Sequence, residues 1–326
     1  MTARFLFCNL LPSLLAGALA WWVVRFLIRT LRLRESRLRL ALYGIPLLKS
    51  ALVLLGIGVV LPWPSFFDGW KAAAVPWHTA VPLALIWAGV CLIAQDVARR
   101  SVYREILAEA EPAERVAPEV QRLLQEVCAR YREEAPWARR LPAPFVADPR
   151  RIPARLDAIL SPRVHAPMVL TTPGREAVIL PDDLVRRLSR EELSGVLAHE
   201  VAHLMIERPG LLSPTWWSLL TPLSPIALAI DHEIRREAEK ACDAAASALV
   251  KDPATYAEAL VKCYRFARSE RPARAVPAFV SQLTGEQPLI SERVEELLRE
   301  RSLSDAAWVQ SAAGLVSWVS AWMLLF

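Results

Sequence analysis

The chain has 326 residues, enough for two domains, and 54% of them are hydrophobic. That composition, with a positive mean hydropathy, suggests membrane segments beside a soluble part. The net charge of +5 does not indicate nucleic-acid binding, since arginines flanking the apolar segments account for it and suit anionic lipid headgroups; the five scattered cysteines give no disulfide framework and no Cys-based zinc site.

In chain order, four apolar stretches are each about long enough to cross a ~30 Å hydrocarbon core as a helix: Phe5 to Val24, Ala41 to Leu61, Val75 to Ala94 and Ala306 to Phe326. Lys49 interrupts the second; snorkelling is the favoured expectation and a place facing the bundle interior the alternative. The first stretch has the apolar core of a secretory signal, but only Arg4 precedes it, while Arg25, Arg29, Arg32, Arg34, Arg37 and Arg39 follow. The positive-inside rule then puts the Arg-rich loop in the cytoplasm and the N-terminus outside. The loop from Pro62 to Ala74 suits the outer face, and Arg99, Arg100 and Arg104 return the chain to the cytoplasm.

The soluble part begins with an amphipathic helix over Pro118 to Glu134, its apolar face built by Val120, Leu123, Leu124, Val127 and Tyr131. Met168 to Thr171 and Ala177 to Leu180 read as short strands around a Pro173-Gly174 turn.

Ser189 and Glu192 then fit a capping box, and Leu193, Val196, Leu197 and Leu204 recur at helical spacing. This helix carries His199-Glu200-Val201-Ala202-His203, an H-E-x-x-H motif. Residues four apart share a helical face, so both imidazoles can meet one metal ion. Glu200 is placed to serve as general base towards a water at that metal.

The apolar segment Leu211 to Ile230 is long enough to cross the membrane once. A single crossing would separate the histidines from every downstream ligand candidate, and Pro214, Pro222 and Pro225 break a continuous helix. A dipping or surface-lying hairpin is expected over 211–230, with Trp216 and Trp217 near the headgroups.

Beyond it, Glu239 and Asp243 share a helical face. One carboxylate can complete the metal site while the other accepts a hydrogen bond from a metal-bound imidazole. Glu239 is the favoured third ligand; Glu237 faces roughly the opposite side, and Glu233 is a weaker rival. Cys242 reads as a small packed residue rather than a ligand. His232, Tyr256 and Tyr264 are candidates for an oxyanion donor. In the last span, Ser311, Gly314, Ser317 and Ala321 form a small-residue stripe suited to helix packing, with Trp308, Trp318 and Trp322 largely elsewhere.

H-E-x-x-H followed by E-x-x-x-D is the gluzincin pattern. Glu239-Lys240-Ala241-Cys242-Asp243, the run Glu176 to Pro181, Ser189 to Leu193, Asp252 to Leu260 and Glu292-Arg293-Val294 together resemble the integral-membrane metallopeptidases of the BlaR/MecR beta-lactam-sensor type over roughly residues 115–300. HtpX-like and CAAX-prenyl-type peptidases share much of this pattern. Met205-Ile206-Glu207-Arg208-Pro209 departs from the family's Arg-Arg-Asp-like run, and no C-terminal sensor stretch is present, so beta-lactam sensing is not implied.

The resemblance implies a mostly α protein, with four transmembrane helices and a cytoplasmic α+β gluzincin-like domain. Its expected layout is a membrane domain over 1–100, a zinc peptidase domain over 101–302 and a fourth span over 303–326. It implies one Zn²⁺ per chain held by His199, His203 and Glu239, with Glu200 catalytic and Asp243 behind the ligands. It also implies an edge strand that binds extended substrate, for which the two short strands are candidates; they read equally well as ordinary core strands. The expected location is a bacterial-type inner membrane, with both termini outside and the site facing the cytoplasm. Expected partners are the lipid bilayer and a protein substrate, such as a repressor, an anti-sigma factor or the enzyme itself. Membrane-protein quality control and a silent zincin scaffold are the alternatives.

Overall fold

The computed structural model describes residues 6–31, 33, 36–55, 76–134, 142–148, 166–172, 175–206, 225–250, 252–269 and 290–298. The chain is mostly helical and divides into two compact units, one of residues 1–93, 209–238 and 301–326, the other of 94–208 and 239–300. The loop 62–74, the turn at 173–174, the run 207–209, residues 211–224 of the hairpin expected over 211–230 and the fourth span lie outside the described residues, while 225–230 begin a helix.

In the first unit, α1 (Leu11–Thr30) and α2 (Ser36–Leu54) pair antiparallel. The register follows from polar contacts: Asn9 donates to the Leu54 carbonyl at 3.0 Å, and the Ser13 hydroxyl meets the Ser50 carbonyl at 2.9 Å. An apolar cluster of Val24, Leu42, Tyr43, Leu47 and Ile230 joins these helices to the N-terminal part of α8 (Pro225–Leu249). Arg25 pairs with Glu233 and Arg39 with Glu237. These two arginines therefore neutralise acidic groups of α8 as well as flanking the apolar segments.

On α1 Trp22 and Phe26 are exposed, and the third apolar stretch belongs to a longer helix, α3 (Trp77–Glu109), with Leu85, Ile86, Val90 and Ile93 exposed. Among the described residues one helix, Cys8–Thr30, is long and apolar enough to cross a membrane by length and composition. Lys49 does not snorkel: it is 5% exposed. Its side chain is buried within the protein instead.

The second unit contains a four-stranded sheet in the order β1 (Ala110–Pro112), β2 (Ala143–Ala147), β4 (Arg175–Pro181), β3 (Met168–Thr172). Strands β3 and β4 are antiparallel, whereas β2 runs parallel to β4. Alternation along β4 sets the two faces. Val178 and Leu180 join the main core, while Ala177 and Ile179 pack with Tyr103 and Ile106 of the C-terminal part of α3.

The main core is filled by the apolar face of α5 (Pro118–Glu134), whose bounds and stripe match the sequence expectation. It packs against α7 (Arg190–Ile206), which carries the H-E-x-x-H motif. The capping box forms in full: the Glu192 carboxylate accepts from the Ser189 amide at 2.8 Å, and the Ser189 hydroxyl accepts from the Glu192 amide at 3.2 Å. Tyr131 of α5 donates to the Ala198 carbonyl at 3.0 Å and fixes the backbone one residue before His199. α9 (Pro253–Ser269) packs against α7 and α10 (Ile290–Leu298) against α9, while two single-turn helices, α4 (Ala113–Val116) and α6 (Asp182–Val185), connect strands to longer helices.

Candidate metal centre

Two helices supply the convergent groups. On α7 the i, i+4 spacing aims both imidazoles the same way, with His199 Nε2 and His203 Nε2 3.1 Å apart. Glu239 on α8 faces them: its Oε2 lies 3.4 Å from His199 Nε2 and its Oε1 3.7 Å from His203 Nε2. One ligand atom from each of these three residues falls within 4.8 Å of the others. Glu200, also on α7, is buried beside them.

Two nitrogens and a carboxylate oxygen converging in a buried site suit a borderline-soft cation such as Zn²⁺. The donor set and its convergence therefore fit the implied metal. The other carboxylates of α8 point to different tasks. Glu237 is buried and pairs with Arg39 at 3.0 Å, and Glu233 pairs with Arg25.

A network fixes the ligands from behind. Asp243 Oδ1 lies 3.1 Å from His199 Nδ1, the ring atom away from Glu239. Tyr256 of α9 donates to Asp243 at 2.8 Å and lies 3.0 Å from the same Nδ1. Arg293 of α10 grips Asp243 bidentately, with both bonds at 2.6 Å, and its Nη1 reaches Glu239 at 3.3 Å.

The electrostatics follow from this enclosure. Burial pushes the Asp243 carboxyl up, but the Arg293 guanidinium and the His199 bond outweigh it and hold the group below the ordinary carboxylate range. Glu239 behaves likewise, depressed by His199, His203 and Arg293 against its burial. Burial presses His199 down, yet hydrogen bonds to Asp243 and Glu239 raise it to about 10. Burial and the Asp243 charge push the Tyr256 hydroxyl well above its usual value, so it remains a proton donor.

The three oxyanion candidates fall in different surroundings. The Tyr256 hydroxyl is engaged at Nδ1, on the ring edge opposite Nε2, which makes it a positioning group. Tyr264 is exposed on α9, and His232 is exposed in the N-terminal part of α8. Arg293 was visible in the sequence only as part of a motif. Its partner lies 50 residues away, and nothing local signals a bidentate bond across that distance. Gly195 on α7 carried a readable signal, an isolated glycine inside a helix. A Cβ there would lie 2.7 Å from Tyr256 Cδ2, so the glycine makes room for the ring that reaches His199.

Comparison with known proteins agrees with this geometry. No solved structure matches the chain. The chain is 26% identical over 175 residues to a protein named Protease HtpX homolog from Caldanaerobacter subterraneus subsp. tengcongensis, an alignment covering 38% of this chain and 58% of that relative. It is 26% identical over 177 residues to a protein of the same name from Thermoanaerobacter pseudethanolicus, with the same two shares. The chain thus spans 58% of the length of these curated relatives. Residues 150–297, which contain both histidines, Glu239, Asp243 and Arg293, match the BlaR1 peptidase M56 family model, so the chain resembles the BlaR-type and HtpX-like membrane metallopeptidases in the region that builds the metal centre.

Proposed function

We propose that this chain is a membrane-embedded, zinc-dependent endopeptidase acting on cytoplasmic or membrane-proximal protein segments. The observation that carries the reading is the convergence of His199, His203 and Glu239 within 4.8 Å beside a buried Glu200. His199 and His203 would hold the metal through Nε2, and Glu239 through its carboxylate. Zinc, when bound, supplies Lewis acidity that polarises a scissile carbonyl and lowers the pKa of water.

Glu200 accepts the proton of the attacking water and delivers it to the leaving amine. Asp243, with Tyr256 and Arg293, holds the His199 ring in the tautomer that frees Nε2. Among the described residues β3 is an outer strand of the sheet, and an extended peptide added there would be read by its backbone more than by its side chains.

Membrane embedding is supported by the apolar helix Cys8–Thr30 and by the apolar exposure of α1 and α3. We extend this to four spans, with the termini outside and the metal centre in the cytoplasm, on the arginine asymmetry of the sequence. Substrates of the repressor or anti-sigma class fit the BlaR-type likeness. The HtpX likeness favours a second reading, quality control of membrane proteins. The intact ligand set and its supporting network argue against a silent scaffold.

The test is Glu200→Gln in the full-length protein. Zinc content should stay near one per chain, while peptide hydrolysis falls about 10²–10⁴-fold and uncleaved substrate remains bound for identification. Normal turnover by a zinc-loaded Glu200→Gln protein would remove Glu200 from this role. Wild-type protein without stoichiometric zinc would defeat the whole reading.

A further inference from the structure

The two imidazoles are not supported alike. His199 Nδ1 faces the Asp243 carboxylate at 3.1 Å, whereas His203 Nδ1 faces the Cys242 sulfur at 3.5 Å. Cys242 is fully buried, and its sulfur lies on the ring edge opposite the Nε2 that converges on His199 and Glu239. Consecutive residues of α8 thus stand behind consecutive ligands of α7.

We propose that Cys242 is a positioning residue for the metal centre, acting through His203 as Asp243 acts through His199. The inference rests on the metal reading of His199, His203 and Glu239. An imidazole that binds a cation through Nε2 carries its proton on Nδ1, and that N–H needs an acceptor. Sulfur is a weak acceptor, larger than oxygen and able to bond at longer distance. The Cys242 thiol therefore fixes the ring's rotation and tautomer without placing another negative charge beside Glu239 and Asp243. A purely packing cysteine would need no such alignment and would be replaced equally well by an apolar residue of similar size.

The two roles separate in a substitution series at 242. Full-length Cys242→Ser, Cys242→Ala and Cys242→Val would be purified. Zinc affinity would be measured by chelator competition, and thermal stability on metal-free protein. Serine keeps an acceptor but introduces a buried hydroxyl; alanine and valine keep the site apolar but remove the acceptor. The expected result is zinc affinity within about threefold of wild type for Cys242→Ser and about tenfold weaker for Cys242→Ala and Cys242→Val, near the low end for partners of a metal-bound histidine. Metal-free stability should not follow that order, with serine the least stable or equal.

Zinc affinities that track metal-free stability, or a Cys242→Ala protein that binds zinc like wild type, would overturn the role and leave a packing residue. Wild-type protein that fails to bind zinc would instead overturn the underlying metal reading, and this role with it.

Discussion

At the residue scale, the site depends on side chains that the motif does not contain. Gly195 is the sharpest case. Glycine inside a helix costs roughly 0.5–1 kcal/mol relative to alanine, so Gly195→Ala should stabilise α7 if propensity alone decided. The contact decides otherwise, because a Cβ would approach Tyr256 Cδ2 to 2.7 Å and Val250 Cγ2 to 3.3 Å. Tyr256 is fully buried and tied to Asp243, so its ring has little freedom to retreat. Overpacking of this kind costs about 1–3 kcal/mol, which exceeds the propensity gain. Gly195→Ala should therefore lower the thermal midpoint and weaken zinc binding together. A midpoint at or above wild type would mean that the ring can move.

What the sequence disclosed at this scale was the set of groups whose spacing is local. His199, Glu200 and His203 follow from one helix face, and Glu239 with Asp243 from another. Arg293, Gly195 and the Cys242–His203 alignment depend on how α7, α8, α9 and α10 meet, which no periodicity encodes.

At the element scale, local rules were strong where chemistry and period agreed. The capping box at Ser189 and Glu192 and the helix Pro118–Glu134 form as expected, and the strands around residues 173–174 extend to Met168–Thr172 and Arg175–Pro181. Strands β1 and β2 were not legible, since Pro112, Pro142 and Pro144 argue against a strand. The register explains the tolerance: β1 pairs only with Phe145 to Ala147, so Pro144 has a ladder neighbour on one side alone. Pro225, read as a breaker, instead occupies the first position of α8, where its missing N–H has no helical partner to lose.

The start of α7 also carries a pH dependence. Burial raises the Glu192 pKa, but the Lys262 ammonium at 2.6 Å and the Ser189 amide outweigh it, so the folded value lies below the ordinary 4.5. A depressed carboxylate contributes stability that is present above its unfolded pKa and lost as pH falls through the folded one. Glu192→Gln should thus be less stable than wild type at pH 7, and the gap should narrow below about pH 4. Chemical denaturation at both pH values checks this; a gap independent of pH would assign the effect to packing.

At the scale of the whole molecule, the ligands constrain the proposed topology. His199 and His203 precede residues 207–224 and Glu239 follows them, so the intervening segment must begin and end on one side of the membrane. Arg186 precedes it, His232 follows it, and both are exposed. Single cysteines at 186 and 232 should both resist an impermeant thiol reagent in intact cells and both react in inverted vesicles, above the wild-type background. Labelling of one from each side would defeat the topology and the ligand assignment with it.

The buried network also has an electrical consequence. Glu200, Glu239 and Asp243 bring three carboxylates into the enclosed centre, and Arg293 brings one guanidinium. With these four ionised and His199 relieved of the proton that a pKa of about 10 lets it hold in the metal-free centre, the groups leave two negative charges where an uncompensated charge is expensive. A divalent cation closes that balance; a monovalent one leaves a deficit and a trivalent one an excess. A divalent metal held by His199, His203 and Glu239 would thus match the centre in charge as well as in ligand softness.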